Sequence, residues 1–318
     1  MSQNKLTLSI SPHLNSPASV SKVMLLVIIT LLPALGWGVY LYGLQAILLT
    51  LTCILGAVLS EMAVQLLRKR DIWVIKDFSA ILTGLLLAMV LPPSLPLIYA
   101  FLGACFAIII GKALFGGLGF NIFNPALLGR AFLQMSFPVV MTTWIIPKGV
   151  NTVSSATPLA LGKFEQIFLS AKELFFGLHG GCVGEASALF LLLGGVLLMA
   201  LRVIDYRIPI SIFGTVAILA VLFSFITGGK SGDILYHFCS GGLMIGAFYM
   251  ATDMVTSPLS PLGNILFGIG VGSVVMVIRV FGGLPEGVMF SILFMNAFVP
   301  LINRHTRPRI LGDRKQKS

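Results

Sequence analysis

Asn151-Thr152-Val153-Ser154-Ser155-Ala156-Thr157-Pro158 stands in the only long segment of this chain that cannot sit in lipid. It is polar and hydroxyl-rich, and reading it as a loop sets where the apolar spans on either side must stop. Taken alone it is a helix start. The Thr157 oxygen can accept a backbone N–H of the first turn, and Pro158 suits the first helical position. Around it the chain is 57% hydrophobic and only 10% charged, with a mean hydropathy of +1.00. No soluble domain of 318 residues carries so little charge. The composition predicts an all-α integral membrane protein.

On the N-terminal side of the octapeptide, apolar runs cover 23–42, 46–67, 78–91 and 97–115, with another ending at 137. On the C-terminal side they cover 186–201, 208–226, 234–251, 263–281 and 287–302. That gives about ten transmembrane helices. Pro92-Pro93-Ser94-Leu95-Pro96 stops the third run early, so a broken, half-length helix is expected there. Trp37, Tyr40 and Tyr42 mark an interface between lipid and water.

The net charge of +10 is topological: its basic residues fall in short runs between apolar spans and form no face for nucleic acid. Arg68, Lys69, Arg70, Arg202, Arg207 and the tail from Arg304 to Lys317 fall on one side. Lys148, Lys163, Lys172 and Lys230 fall on the other. This bias predicts both termini in the cytoplasm and the hydroxyl-rich loop outside, in a bacterial inner membrane. The expected organisation is a cytoplasmic tail (1–22), a first membrane repeat (23–140), an extracytoplasmic loop (141–185), a second membrane repeat (186–303) and a basic tail (304–318).

The two halves echo each other. Gly116-Gly117 matches Gly282-Gly283, Arg130-Ala131-Phe132 matches Asn296-Ala297-Phe298, and Pro92 matches Pro258. The offset is 166 in each case (282 − 116, 296 − 130 and 258 − 92). Repeats with an odd number of spans, about five each, must be inverted in the membrane, an arrangement that places polar sites between the halves.

Three polar clusters fall where lipid would otherwise be. Asn121 and Asn124 are three apart on one helical face, ahead of Pro125. Their amides either match the donor–acceptor edge of a planar heterocycle or hydrogen-bond between helices. Arg130 follows; a charge at that depth costs about 2.5–3.5 kcal/mol on insertion scales and calls for a cavity or a partner. Asp253, among Thr252, Thr256 and Ser257, either lies on an ion path or caps a helix. Asp77 reads first as a helix N-terminal carboxylate, with an ion path as the weaker alternative.

Other signals fail on inspection. Cys53, Cys105, Cys182 and Cys239 have neither C-x-x-C spacing nor a histidine at ligand distance, so iron–sulfur and zinc sites are unsupported. Gly228-Gly229-Lys230-Ser231 lacks the first glycine of a phosphate loop, and no Ser-His-Asp set is visible.

The run Gly116-Gly117 through Asn121-x-x-Asn124-Pro125-Ala126-Leu127-x-Gly129-Arg130-Ala131-Phe132 resembles the hallmark of the NqrB/RnfD family. These are membrane subunits of the sodium-pumping NADH:quinone reductase and of the Rnf complex. Val153-Ser154-Ser155-Ala156-Thr157-Pro158 resembles the family's flavinylation site, and Met250-Ala251-Thr252-Asp253 with Ser257-Pro258 resembles its second-half motif. The short N-terminal extension favours the RnfD branch. Asn151 departs from the acidic residue many members carry ahead of the hydroxyl run.

The resemblance implies FMN joined by a phosphoester to Thr157, with Ser154, Ser155, Ala156 and Pro158 around it, installed by a separate flavin transferase. It also implies a second, non-covalent flavin (riboflavin or FMN) near Asn121, Asn124 and Arg130. The expected function is a subunit of an ion-translocating ferredoxin:NAD+ oxidoreductase complex. That subunit would pass electrons between a partner flavoprotein and other membrane subunits while Na+ or H+ moves, and would not be catalytically complete alone. The alternative is a channel or secondary transporter for a small polar solute, which inverted five-span repeats suit equally well.

Overall fold

The structure is a computed structural model that describes residues 19–69, 76–145, 157–169, 171–177, 179–227 and 233–307. Every regular element among these residues is helical. Before the hydroxyl-rich loop come α1 (Val20–Tyr42), α2 (Leu44–Leu67), α3 (Ser79–Met89), α4 (Leu97–Ile108, continued by a π turn, Ile109–Ala113), α5 (Pro125–Ser136) and α6 (Pro138–Met141). The loop carries two short helices, α7 (Pro158–Ala160) and α8 (Ala171–Phe176). After it come α9 (Ala188–Ala200), α10 (Arg207–Thr227), α11 (Ile234–Cys239), α12 (Leu243–Ile245, continued by a π turn, Gly246–Met250), α13 (Pro261–Phe281) and α14 (Val288–His305). Five of these, α1, α2, α10, α13 and α14, are long and apolar enough to cross a membrane, while α3, α4 with its π turn and α9 are shorter apolar helices. The chain is a multi-pass membrane protein.

Local chemistry explains the breaks. The Pro92-Pro93 pair ends α3 after eleven residues. The carbonyls this frees are met from across the molecule: Val183 N donates to Leu91 O at 3.3 Å and Cys182 Sγ to Val90 O at 3.1 Å. The run at 234–251, which the sequence suggests is one span, is broken at Ser240-Gly241-Gly242. Gly241 and Gly242 adopt φ of 65° and 59°, a left-handed conformation that glycine enters without steric cost. Arg279 of α13 takes over the released carbonyls, donating to His237 O at 2.6 Å, Ser240 O at 2.8 Å and Gly241 O at 3.1 Å. A backbone break inside a helical body needs such a donor, because lipid offers none.

Helix α2 packs on α3 and α4, and α10 packs on α13. Small residues set the closest approaches. A Cβ added at Gly129 of α5 would stand 2.7 Å from Gly103 O and 2.9 Å from the Ala107 Cβ of α4. Backbone cannot yield as a side chain can, so Gly129→Ala is expected to push α4 and α5 apart. The expected loss is about 1–3 kcal/mol, read as a lower Tm of the detergent-solubilised protein.

A buried polar chain runs along one edge of the first half. Lys112 Nζ, on the π turn, lies 2.5 Å from Glu61 Oε1 of α2 and 2.5 Å from Ser79 Oγ of α3. Ser79 donates in turn to Asp77 Oδ1, from its hydroxyl at 2.6 Å and its amide at 2.8 Å. Asp77 therefore caps the start of α3. The second half is stitched to the first by amides. Asn124 Nδ2 donates to Met250 O at 3.2 Å. With its amide turned to suit its neighbours, Asn296 accepts from Asn124 N at 3.1 Å and donates to Thr256 O at 3.3 Å.

Candidate functional site

Two cavities receive the residues singled out in the sequence, and α5 connects them. Its N-cap, Asn124, borders an inner cavity, and Arg130 borders an outer one. They are six residues apart, roughly 9 Å along the helix.

The inner cavity lies between α3, the two π turns and the turn that follows Met250. Asn121, Asn124, Ser79, Lys112, Thr252 and Asp253 supply its polar lining, and its volume is about 70 Å³. Sequence reasoning allowed the two amides to aim at a ligand or to bond between helices. Asn124 follows the second reading: Oδ1 accepts from Ala126 N at 3.1 Å and Leu127 N at 3.3 Å, and Nδ2 reaches Met250 O. Asn121 donates from Nδ2 to Phe123 O at 3.3 Å, while its buried Oδ1 has no partner. Asp253 Oδ2 accepts from Thr256 Oγ1 at 3.1 Å. A flavin does not fit this space as it stands, since cofactor sites run to about 300–1,000 Å³.

The outer cavity is of that size, about 410 Å³. Thr157 and Ala160 form one rim, Trp144, Phe164 and Phe290 give aromatic walls, and Arg130 and Glu286 give the charge. Arg130 Nη2 meets Glu286 Oε2 at 2.6 Å. The pair spans the two halves of the chain, since Glu286 stands in the turn between α13 and α14. Each partner keeps one buried atom, Arg130 Nε and Glu286 Oε1, without a hydrogen bond.

Thr157 is 2% exposed and caps α7: its Oγ1 accepts from Ala160 N at 3.3 Å, with Pro158 at the first helical position. Pro158 O is held by the Tyr236 hydroxyl at 2.5 Å. Cap and cavity-lining roles coexist at Thr157, because accepting one N–H leaves a hydroxyl able to form an ester.

The segment is docked by a residue that sequence reasoning used only for topology. Lys163 Nζ donates to Ile278 O at 3.2 Å, to Leu284 O at 3.1 Å and to Gly282 O. These carbonyls end α13 and begin the turn that carries Glu286. Desolvation by burial holds the Lys163 ammonium below the usual lysine range. Thr157 and Arg130 are thus brought to one cavity, Asn121, Asn124 and Asp253 to the other, and Asp77 to neither. Ser154, Ser155 and Ala156 lie outside the described residues. Glu286 was missed, although its place beside the Gly282-Gly283 echo of Gly116-Gly117 is a usable signal.

Comparison with known proteins gives a consistent result. A sequence profile of the NQR2, RnfD, RnfE family matches residues 7–312. The chain is 44% identical over 325 residues to a subunit of the proton-translocating ferredoxin:NAD(+) oxidoreductase complex of Clostridium ljungdahlii, covering 98% of each chain. It is 45% identical over 321 residues to the corresponding subunit of the Na(+)-translocating ferredoxin:NAD(+) oxidoreductase complex of Acetobacterium woodii, covering 100% of this chain and 98% of that one. A third relative, from the ion-translocating oxidoreductase complex of Stutzerimonas stutzeri, is 43% identical over 330 residues, with 93% of each chain covered.

Proposed function

The chain belongs to the NQR2, RnfD, RnfE family, and from that premise we propose that it is the membrane flavoprotein subunit of an ion-translocating ferredoxin:NAD+ oxidoreductase complex, with FMN esterified through its phosphate to Thr157. The observation that carries this reading is the place of Thr157, on the rim of a cofactor-sized, aromatic-walled cavity with a cross-half ion pair at its floor. Bound there, FMN would supply a carrier that exchanges electrons singly or in pairs. The chain's own residues do the rest. An ester at Thr157 would keep the cofactor in place through both redox states. Trp144, Phe164 and Phe290 give the cavity aromatic walls, and Arg130, held by Glu286, would offset negative charge entering it. At so buried a position a fixed charge acts more strongly than it would in water.

Transfer of FMN needs a partner. A threonine hydroxyl is a poor nucleophile at its free pKa, and a separate flavin transferase would supply the activating base. Electrons would arrive from a partner flavoprotein and leave to other membrane subunits. The cavity belongs to the outer loop and, with both termini in the cytoplasm of a bacterial inner membrane, it faces away from the cytoplasm. The relatives carry proton- and Na(+)-translocating names, and both cations suit this reading.

The proposed architecture is a pair of inverted repeats, α1–α5 and α9–α14. Its support is the constant offset of 166 and the broken helix in each half, α3 and α11/α12. The inner cavity would have to open between α3 and the turn after Met250 before a second flavin could enter.

The test is in-gel fluorescence of the denatured wild-type chain co-expressed with a flavin transferase. A band that survives denaturation is expected. No band, with the transferase shown to be active on another target, would leave Thr157 a helix cap and remove the flavin reading.

A further inference from the structure

The Thr157 side chain is buried, and its Oγ1 accepts from Ala160 N at 3.3 Å. A phosphoester forms on that oxygen only when a transferase holds both the donor phosphorus and an activating base against it. The outer cavity, about 410 Å³, matches a flavin in size and has no room beside it for the groups of an enzyme. In the docked segment the atom that must react is out of a transferase's reach.

The docking itself is slight. Lys163 Nζ donates to Ile278 O, Gly282 O and Leu284 O, and the Tyr236 hydroxyl donates to Pro158 O. Leu159 packs with Leu174 and Tyr236 in a small cluster of its own, apart from the core that the membrane helices share. A cavity of about 200 Å³ remains between the segment and α11 and α13, lined by Leu159, Gly162, Lys163, Tyr236 and Arg279. Few buried apolar contacts beside unfilled space mark a unit that opens while the rest of the fold stays closed.

We propose that residues 157–165 are a latch that opens before the cofactor is attached. The flavin transferase binds the segment undocked, and Lys163 and Tyr236 set how often it is free. This rests on the flavin reading of Thr157. In the open form the Thr157 oxygen attacks the flavin-side phosphorus of a flavin dinucleotide. The phosphoanhydride bond breaks, AMP leaves, and the hydroxyl proton passes to the transferase's base. The segment then redocks and carries the flavin into the outer cavity.

The test uses the full-length chain, made without the transferase and purified in detergent. It is mixed with transferase and flavin dinucleotide, and covalent fluorescence is followed in time beside a peptide of residues 151–161. The peptide is expected to label at least about tenfold faster than the wild-type chain. Lys163→Met removes a charged donor from three carbonyls and should speed labelling of the chain about tenfold; Tyr236→Phe should speed it about threefold. Hydrogen exchange at residues 159–165 should quicken by the same factors, with exchange in α2 and α10 unchanged, which separates local opening from unfolding. A wild-type chain that labels as fast as the peptide or faster, or variants that label no faster than the wild type, overturns the latch and leaves the flavin reading standing. Label on neither chain nor peptide, with the transferase active on another target, removes both.

Discussion

Thr157→Ala is expected to abolish covalent flavin on this chain and to lower ferredoxin-dependent NAD+ reduction by the complex on the order of 10²-fold or more. The magnitude follows from what the tether supplies. On the proposed reading an ester would fix the carrier in the cavity, and misplacing a reacting group by about 1 Å already costs on the order of 10²-fold. The change should not unfold the protein. Losing a threonine cap costs about 1 kcal/mol, and α7 is a single short turn outside the spanning helices.

Thr157→Ser separates the two roles. Serine keeps both the cap and a hydroxyl, so fluorescence and part of the activity should persist, with Tm unchanged within about 0.5 kcal/mol of stability. A fluorescent band in Thr157→Ala would put the flavin on another residue. Full activity in that variant would remove electron transfer through this site altogether. In-gel fluorescence and NAD+ reduction by inverted membrane vesicles give both readouts.

Most of the helical frame is legible in the chain because lipid admits few solutions. Long apolar runs must be helical, and α1, α2, α10, α13 and α14 start and stop within a few residues of the expected limits. The break after α3 announces itself through Pro92-Pro93. The break between α11 and α12 does not, because Gly241-Gly242 reads equally well as close helix packing. Its cause, the three carbonyls gathered by Arg279, lies about forty residues away in sequence.

Candidate residues follow the same division. Thr157 is legible from its own neighbours as a helix cap, while its flavin role is what the family resemblance implies. Glu286 and Lys163 act through contacts between the halves or with distant turns, and periodicity carries no trace of these. Asn124 shows the reverse. Its spacing from Asn121 suggested a ligand or an interhelical bond, and its position just before Pro125 decides for the cap and the stitch to Met250.

Lys112→Met should prevent the chain from accumulating in the membrane. The ammonium is 3% exposed and sits 2.5 Å from Glu61 Oε1, whose other oxygen already lacks a partner. Removing the cation strands a buried carboxylate, and breaking such a pair costs about 3–5 kcal/mol. A folded domain is stable by only about 5–15 kcal/mol, so that loss falls near the threshold for degradation. Ser79 Oγ would also lose a hydrogen-bond partner at the start of α3, leaving that turn to its contacts with Asp77.

If the damage is the stranded charge, neutralising it should repair it. Lys112→Met with Glu61→Gln is therefore expected to recover most of the lost expression and Tm, measured with a fluorescent C-terminal fusion in detergent. A double variant no better than the single one would mean that Lys112 holds α2 and α3 by its three-way geometry. The charge balance would then be secondary, because replacing a buried ion pair by neutral groups of similar volume is otherwise close to neutral.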